Sequence, residues 1–186
     1  GGGNDQGQFV AKAGQSNIVV YGFFSGTSTF GSDQHTSTSD SGSTVGTGSN
    51  RDLFISLLDE DGHWQWTKTA GGSNGYGDQP GGLAVDSQSN IYIAGSFVGD
   101  ITLGSFSFTG DGNFDGFIAK LTPEGSWAFA NHIGGNYNQE PTQLSIHNDD
   151  GVIVYGEYTR QAVFDSVNIS TCLLYTSPSP RDEQSS

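Results

Sequence analysis

Basic residues, cysteine and long apolar runs are all scarce in this sequence, and each shortage excludes a class of protein. Lysine and arginine number 6 against 20 aspartates and glutamates, which gives a formal net charge of −14. A surface this acidic repels nucleic acid and anionic membranes, so neither is expected as a partner. No apolar run approaches the roughly 20 residues of a membrane-spanning helix, so no membrane insertion is predicted. A soluble extracellular protein, a cation-binding protein and an ordinary solvated surface are all compatible with this charge.

The single cysteine, Cys172, lies in a C-terminal segment that differs from the rest of the chain. Residues 172–182 read CLLYTSPSPRD, which resembles the translation of an adapter used in sequencing libraries. We therefore interpret residues 171–186 as a non-native or disordered tail of a metagenomic fragment and exclude them from fold prediction. The remaining chain then has no disulfide, thiolate ligand or cysteine nucleophile, and we expect it to be part of a longer protein.

Glycine is abundant instead, with 29 residues, and the sequence repeats itself. Residues 51–72 and 114–135 share an aspartate, an apolar run, a turn, an aromatic segment and a glycine pair. A second pattern, an apolar run that ends in glycine, occurs at 17–22, 90–95 and 151–156. One supersecondary unit is thus written more than once, which defines a repeat protein. The first pattern recurs at one constant spacing, which is shared by the pairs Asp52 and Asp115, Trp64 and Trp127, and Gly71 and Gly134.

The complete copy predicts four short strands joined by tight turns, which is typical of an antiparallel meander. Near-continuous apolar runs, such as Val19 to Phe24, indicate sheets that are buried on both faces. A four-stranded sheet of this kind, repeated every ~60 residues, predicts the blades of a β-propeller, so the fold class is all-β. The predicted strands cover about residues 83–86, 91–98, 117–121 and 127–132.

The repeat spacing divides the chain into blades. We predict an incomplete first blade over residues 1–72, a complete blade over 73–135 and the start of a third over 136–170. This is a partial propeller with an incomplete ring, because closure takes four to eight blades. Further blades of the same chain are therefore the expected neighbours. A Ser/Thr/Gly-rich loop over residues 25–50 and a shorter one over 99–113 are predicted to lie on the surface, the first as a mobile loop.

Two kinds of residue are assigned to the packing between blades. The glycine pairs Gly71–Gly72 and Gly134–Gly135 stand where one blade passes to the next, so we expect close backbone approach and positive φ angles there. Large aromatic side chains are expected to fill the space between blades, namely Phe54, Trp64, Trp66, Phe117, Trp127 and Phe129.

The combined pattern resembles a known family, the bacterial β-propeller repeat called the SBBP repeat. The first copy departs from the family pattern, with Leu57 at the place of Lys120 and Ala13 at the place of Asp86. The resemblance implies a secreted or surface-exposed bacterial protein. It implies no catalytic residue, because the shared positions of the family are structural. In the second copy the resemblance is carried by Asp86, Asn90, Ile91, Tyr92, Gly95, Asp115, Phe117, Lys120, Leu121, Gly125, Trp127, Gly134 and Gly135.

Asp111, Asn113 and Asp115 are the best metal candidate in the sequence. With Gly116 they follow the D-x-N-x-D-G spacing of the first half of a calcium loop, in which alternate side-chain oxygens converge on the ion. The twelfth position is Thr122 rather than glutamate, and the first copy does not repeat the ligand set. Calcium is therefore an open alternative to a chain that needs no cofactor.

No catalytic residue is predicted from the remaining motifs. No serine lies in a G-x-S-x-G motif, and turn chemistry explains the acidic stretch from Asp59 to Gly62. The four histidines share no metal-ligand spacing: His35, His63, His132 and His147.

These observations favour a non-catalytic module for binding, adhesion or scaffolding, secreted or displayed on a bacterial surface. Rigid blades would present variable loops to an unidentified protein or glycan ligand. Two alternatives stay open. One is a fragment of an enzyme that acts on glycans in the central channel of a complete ring, and the other is a structural spacer stabilised by calcium.

Overall fold

A computed structural model of the chain describes residues 3–38, 51–72, 77–111, 113–135, 137–147, 150–159 and 163–164. These residues form fifteen β-strands and no α-helix, which confirms the all-β prediction. No helix in the described ranges is long and apolar enough to cross a bilayer. Two predicted regions, the tail 171–186 and the part of the first loop over 39–50, lie outside the described residues.

The first unit is a four-stranded antiparallel sheet with a hairpin between its second and third strands. Sheet neighbours run in chain order, and the hairpin strands pair with each other. The sheet contains β1 (Gln6–Ala13), β2 (Asn17–Phe24), β5 (Asp52–Leu58) and β6 (Trp64–Gly71), and the hairpin contains β3 (Thr27–Phe30) and β4 (Asp33–Thr36).

The second unit has the same plan, and the third begins it. The second sheet contains β7 (Gln79–Val85), β8 (Ile91–Phe97), β11 (Asp115–Leu121) and β12 (Trp127–Gly134), with the hairpin β9 (Asp100–Leu103) and β10 (Phe106–Thr109). The third unit is described over β13 (Gln139–Ile146), β14 (Val152–Tyr158) and β15 (Val163–Phe164).

Turns recur at equivalent places in the units. The Gly62 N–H donates to the Asp59 carbonyl at 3.0 Å, and in the second unit the Gly125 N–H donates to the Thr122 carbonyl at 2.9 Å. Both glycines have positive φ angles, 83° and 78°. This conformation is energetically unfavourable for any residue that has a Cβ atom. The sequence repeat is therefore also a repeat of backbone conformation.

The first strand of each unit carries a bulge opposite the second strand. One residue is left unpaired in each case: Gln8, Gly81 and Thr142. A bulge bends its strand and increases the local twist. The three bulged strands lie together, since β7 contacts both β1 and β13. At the β7–β13 contact, a Cβ on Gly81 would collide with the Pro141 carbonyl oxygen, so glycine is required for this approach.

The inserted hairpin of one unit joins the sheet of the unit before it. β9 pairs with β6 through Ala70 with Leu103 and Gly71 with Thr102. The same register joins β15 to β12, through Ile133 with Phe164 and Gly134 with Val163. The first sheet is thereby extended to six strands. Backbone hydrogen bonds, as well as side-chain packing, hold successive units together.

Two hydrophobic seams separate the three units. The larger seam combines side chains of the first and second units, including Tyr21, Ile55, Ile93 and Phe117, all almost completely buried. The smaller seam joins the second and third units through Ala84, Tyr92, Ala94, Ile118, Leu144, Val152 and Val154. The sheet of the second unit thus buries both faces, as its continuous apolar runs predicted.

The structure corrects two predictions about the first unit and its loops. Residues 1–72 contain all four strands, so the first blade is not incomplete. The predicted loops 25–50 and 99–113 both contain hairpins, and Ile101 and Leu103 of the second are fully buried. Short strands of four residues escaped the prediction because only one to three of their side chains are turned away from water.

The glycine pairs behave partly as predicted. A Cβ on Gly71 would collide with the Asp52 carboxylate, and a Cβ on Gly72 would collide with the Asp100 carbonyl oxygen. Close approach is therefore confirmed at the first pair, Gly71–Gly72. The positive φ angles are instead found at turn glycines, such as Gly62 and Gly99, and not at the glycine pairs.

Candidate functional site

Buried acidic groups lie at the two joints of the chain. The first joint is the contact between the first and second units, and the second joint is the contact between the second and third. Asp52 begins β5 and is 3% exposed, because the apolar strands around it exclude water. Its Oδ2 accepts hydrogen bonds from the Thr38 N–H at 2.8 Å and the Thr38 hydroxyl at 3.0 Å. Its Oδ1 is buried without a hydrogen-bond partner among the described residues. Burial raises the pKa of Asp52, and the two Thr38 bonds oppose that rise.

Asp78 is the second buried carboxyl group of this joint. Its backbone N–H donates to the Arg51 carbonyl at 2.9 Å, which ties the start of the second unit to the third strand of the first. Burial raises the pKa of Asp78 well above its usual value; the nearby Asp52 adds to the rise and Arg51 reduces it. The Arg51 guanidinium lies 4.5 Å from the centroid of the Phe23 ring. The first joint therefore holds the carboxyl groups of Asp52 and Asp78 and the guanidinium of Arg51 where water is largely excluded.

A buried tyrosine completes the joint between the first and second units. The Tyr21 hydroxyl donates to the Ala94 carbonyl at 3.0 Å and so connects the second strands of both units. Burial, with a contribution from the charge of Asp78, raises the pKa of Tyr21 well above 10.0. The phenol therefore stays neutral and serves as a hydrogen-bond donor.

The joint between the second and third units has the same backbone but different side chains. The Gln139 N–H donates to the Phe114 carbonyl at 2.7 Å, the counterpart of the bond from Asp78 to Arg51. Asp115, at the place of Asp52, is completely buried, and its Oδ2 lies 2.7 Å from His132 Nε2. The His132 ring stacks on Phe108 with centroids 5.6 Å apart. The second joint thus has the Gln139 amide where the first has the Asp78 carboxyl group, and the Phe114 ring where the first has the Arg51 guanidinium.

At the predicted metal site, Asp111, Asn113 and Asp115, one oxygen of the Asp115 carboxylate is already hydrogen-bonded within the protein. Asp115 Oδ2 accepts the Asp111 N–H at 3.1 Å in addition to its contact with His132. Only Asp115 Oδ1, buried and without a partner in the described ranges, remains for an ion. Asp111 and Asn113 are exposed, and Gly112 between them lies outside the described residues. The calcium site stays a prediction.

The exposed turn at Asp59, Asp61 and His63 brings three potential metal ligands within 4.8 Å of one another. Asp59 Oδ1 accepts the backbone N–H groups of Asp61 at 3.1 Å and His63 at 2.8 Å. These bonds, led by the one from His63, lower the pKa of Asp59. The carboxylate is thus used to close a hairpin turn, in keeping with the turn chemistry expected from the sequence.

Asp86 has a similar structural use inside the second unit. Its Oδ1 accepts the N–H groups of Gln88 at 2.9 Å and Asn90 at 2.8 Å. Its Oδ2 accepts the Asn90 side-chain amide at 2.8 Å and lies 3.8 Å from Lys120 Nζ. The Lys120 ammonium lies 5.0 Å from the centroid of the Tyr92 ring. Residues that carried the family resemblance therefore form one local network that fixes a turn.

Sequence reasoning found Asp115 and Asp86 but missed the polar joint around Asp78. The available signal was the alignment of Asp5, Asp78 and Gln139, which precede or begin the first strands of the three units. The alignment placed a polar residue at the start of each first strand but could not show that Asp78 and Gln139 are buried whereas Asp5 is exposed. Of the histidines, His132 contacts a buried carboxylate, whereas His63 contacts Asp59 in the exposed turn.

One face of the first unit is open. Val10 is 72% exposed and Ile18 is 39% exposed, and both line a shallow groove that ends at Glu60. Their counterparts in the second unit, Leu83 and Ile91, lie against the larger seam. The open face is thus the equivalent of a surface that elsewhere in the chain is covered by another unit.

Comparison with known proteins agrees with this architecture. The family model described as SBBP, beta-propeller repeat, matches residues 65–96. The matched segment runs from β6 through β8 and therefore crosses the first joint rather than one sheet. No curated protein matches the chain.

Proposed function

Because the chain carries a β-propeller repeat of the SBBP family, we propose that it is a non-catalytic binding or scaffold module of a secreted or surface-exposed bacterial protein. The repeat and the all-β architecture are the premise. The observation that supports the proposal is the use of the buried and clustered carboxylates. Asp52, Asp59, Asp86 and Asp115 each accept backbone N–H groups and hold turns or joints.

A binding role is supported by where the units differ in length. The spacing that relates β1 to β4 of the first unit to β7 to β10 of the second makes Thr38 the counterpart of Asp111. The shorter spacing that relates β5 and β6 to β11 and β12 makes Asp52 the counterpart of Asp115. The first unit thus has ten additional residues between Thr38 and Asp52. The rim is the end of the first sheet where Thr38 and Asp52 lie. A rigid sheet that tolerates an insertion between these two residues can vary its ligand without changing its fold. We propose that this rim contacts a protein or glycan ligand.

The experiment compares the chain with a variant whose insertion is shortened. Residues 39–50 are replaced by the Gly-Asn pair that occupies this place in the second unit. Both proteins are applied to a glycan microarray and to a panel of chromogenic glycosides. We expect the native chain to retain a glycan without releasing product, and the shortened variant to lose retention while keeping its β-sheet circular dichroism.

Two results would contradict the proposal. Turnover of a glycoside would favour the alternative of a glycan-active enzyme, and it would be followed by measuring which acidic substitution removes it. Equal retention by the native and shortened chains would show that the insertion is not the binding element.

A further inference from the structure

We propose that the open edge of β3 binds the fourth strand of another copy of this unit, in the register that joins β9 to β6. The inference does not use the proposed binding role; it uses the observation that units of this kind are joined in series. It adds a specific interaction surface, made of the backbone of Thr29 and Phe30 and the apolar face beside them.

The two joints of the chain supply the template. In the first joint β9, the first strand of an inserted hairpin, pairs with the fourth strand of the unit before it, and in the second joint β15 pairs with the fourth strand at the equivalent place. Gly71 pairs with Thr102 in the first joint, and Gly134 pairs with Val163 in the second. Because the register is the same in both, it is a property of the unit and not of one local sequence.

The hairpin of the first unit already has the conformation that this pairing uses. The Ser37 N–H donates to the Gly26 carbonyl at 2.9 Å, as the Gly110 N–H donates to the Gly99 carbonyl at 2.6 Å. Gly26 and Gly99 have φ angles of 68° and 79°. When these two glycines are aligned, Thr29 and Phe30 correspond to Thr102 and Leu103, so β3 is preformed for a partner strand.

The edge of β3 that faces away from β4 has no strand beside it within the described residues. Because hydrogen bonds alternate along an antiparallel pair, alternate residues of β3 turn their N–H and C=O groups toward this edge. An exposed strand edge is a template for pairing with another chain segment. The fourth strands β6 and β12 are already paired with β9 and β15, so the partner strand has to come from another unit.

The surface next to this edge indicates that a whole unit of the same kind, and not a single strand, binds there. Phe30 packs on Phe54 with ring centroids 4.7 Å apart, in a small cluster that ends at the half-buried Val20. The exposed Val10 and Ile18 continue this apolar surface. In the second unit the equivalent surface is covered by the seam with the first. A strand alone would cover the edge, whereas a whole unit would also cover this face.

A strand that pairs with β3 needs a glycine at its C-terminal end. A Cβ on Gly72 would collide with the Asp100 carbonyl oxygen where β6 meets β9. The position equivalent to Asp100 in the first unit is Thr27, so a partner that docks on β3 needs glycine opposite Thr27. The glycine pair that closes both described fourth strands meets this requirement.

The test supplies the partner strand on the chain itself. A copy of residues 64–73 is added directly before Gly1, which places the copied strand at the same sequence distance from β1 as β6 has from β7. The tether makes pairing intramolecular, so a weak association becomes measurable. Amide hydrogen exchange of residues 27–30 is then followed by mass spectrometry in the native and extended chains.

We expect exchange in β3 to slow about tenfold in the extended chain, the factor that one or two ordinary hydrogen bonds supply. The matched control is the same extension with Gly72→Val in the copied segment, in which exchange returns to the native rate. Exchange at residues 100–103 serves as the internal reference and stays unchanged, because β6 keeps its own partner.

Equal exchange of β3 in the native and extended chains would overturn the inference, as would equal slowing by the Gly72→Val extension. A change of exchange at residues 100–103 in place of 27–30 would overturn it as well, since the copied strand would then compete with β6 for β9 instead of pairing with β3. Ligand retention by the rim is measured on the chain without the extension, so failure of this pairing is distinguishable from failure of the binding role.

Discussion

The two joints of this chain share a backbone and differ in charge. In the first, Asp78 and Asp52 are buried beside Arg51; in the second, Gln139 and Phe114 take the places of Asp78 and Arg51. Their backbone hydrogen bonds are equivalent, at 2.9 and 2.7 Å. The difference teaches that the strand pairing defines the joint while its side chains vary, and in the first joint burial raises the pKa of both acids.

The largest effect is expected from the seam side chains, because they supply most of the buried area. Phe117→Ala removes a fully buried ring from the larger seam and should lower the free energy of unfolding by about 3–5 kcal/mol. Leu144→Ala in the smaller seam should cost about 2–3 kcal/mol, since a smaller group is lost beside a partly open unit. Urea denaturation followed by tryptophan fluorescence measures both. An equal or larger loss for Leu144→Ala would contradict the ranking of the two seams.

Gly81→Val should break the second joint selectively. The added Cβ meets the Pro141 carbonyl oxygen, which is backbone and cannot rotate away, so we expect a loss of about 2–3 kcal/mol. The control is Gly62→Val, which has open space but a φ of 83° and therefore pays only the local backbone cost. Hydrogen exchange should rise in β13 and β14 for Gly81→Val and stay native there for Gly62→Val. Faster exchange of β13 in both variants would rule out a joint-specific effect.

Replacing Asp78 should make the first joint resemble the second. The pKa of Asp78 is raised in the folded chain, so between its unfolded value of 3.8 and the folded value the native state holds more protons. Stability from this group therefore falls as pH rises through that window. Asp78→Gln should raise the free energy of unfolding at neutral pH by about 1–3 kcal/mol and leave it unchanged below the unfolded pKa.

The reciprocal change sharpens the same comparison. Gln139→Glu should introduce into the second joint a loss of stability with rising pH, because a carboxyl group would be buried there without the charge of Arg51. Both variants are compared with the native chain by urea denaturation from pH 3.5 to 8, using differences at each pH so that other carboxylates cancel. A gain for Asp78→Gln that is constant across this range would argue against titration as the cause.

The smallest effect is expected from calcium. Asp115 Oδ2 is engaged by the Asp111 N–H and His132, so we expect millimolar calcium or its removal by EDTA to leave the melting temperature within about 1 °C. The measurement is a thermal melt of the native chain beside Asn113→Ala. A calcium-dependent rise that Asn113→Ala removes would establish the predicted site and contradict this expectation.

The sequence predicted the long strands of the second unit but not its short hairpin strands or the joints. The four strands of the second unit were found from their apolar runs, and β7, β8, β11 and β12 lie where these runs are. The hairpin of β9 and β10 was assigned to a loop, although Ile101, Leu103, Phe106 and Phe108 alternate around a glycine turn. Four-residue strands carry too little periodicity to be separated from a Ser/Thr-rich loop, and their burial comes from the neighbouring unit.

The candidate residues were predicted in identity but not in role. Asp115 was singled out as a calcium ligand, and the structure gives it a backbone N–H and His132 as partners. His132 could not be paired with it from sequence, because their separation along the chain has no meaning outside the sheet register. Gln139 and Asp78 were visible only as aligned polar positions.

By itself, the sequence determined the unit: its strand content, its turn glycines and its repetition, because these depend on local periodicity and backbone preference. Only the tertiary structure decided how the units are joined, because the pairing of β9 with β6 and the burial of Asp52 and Asp78 depend on which surfaces exclude water from one another.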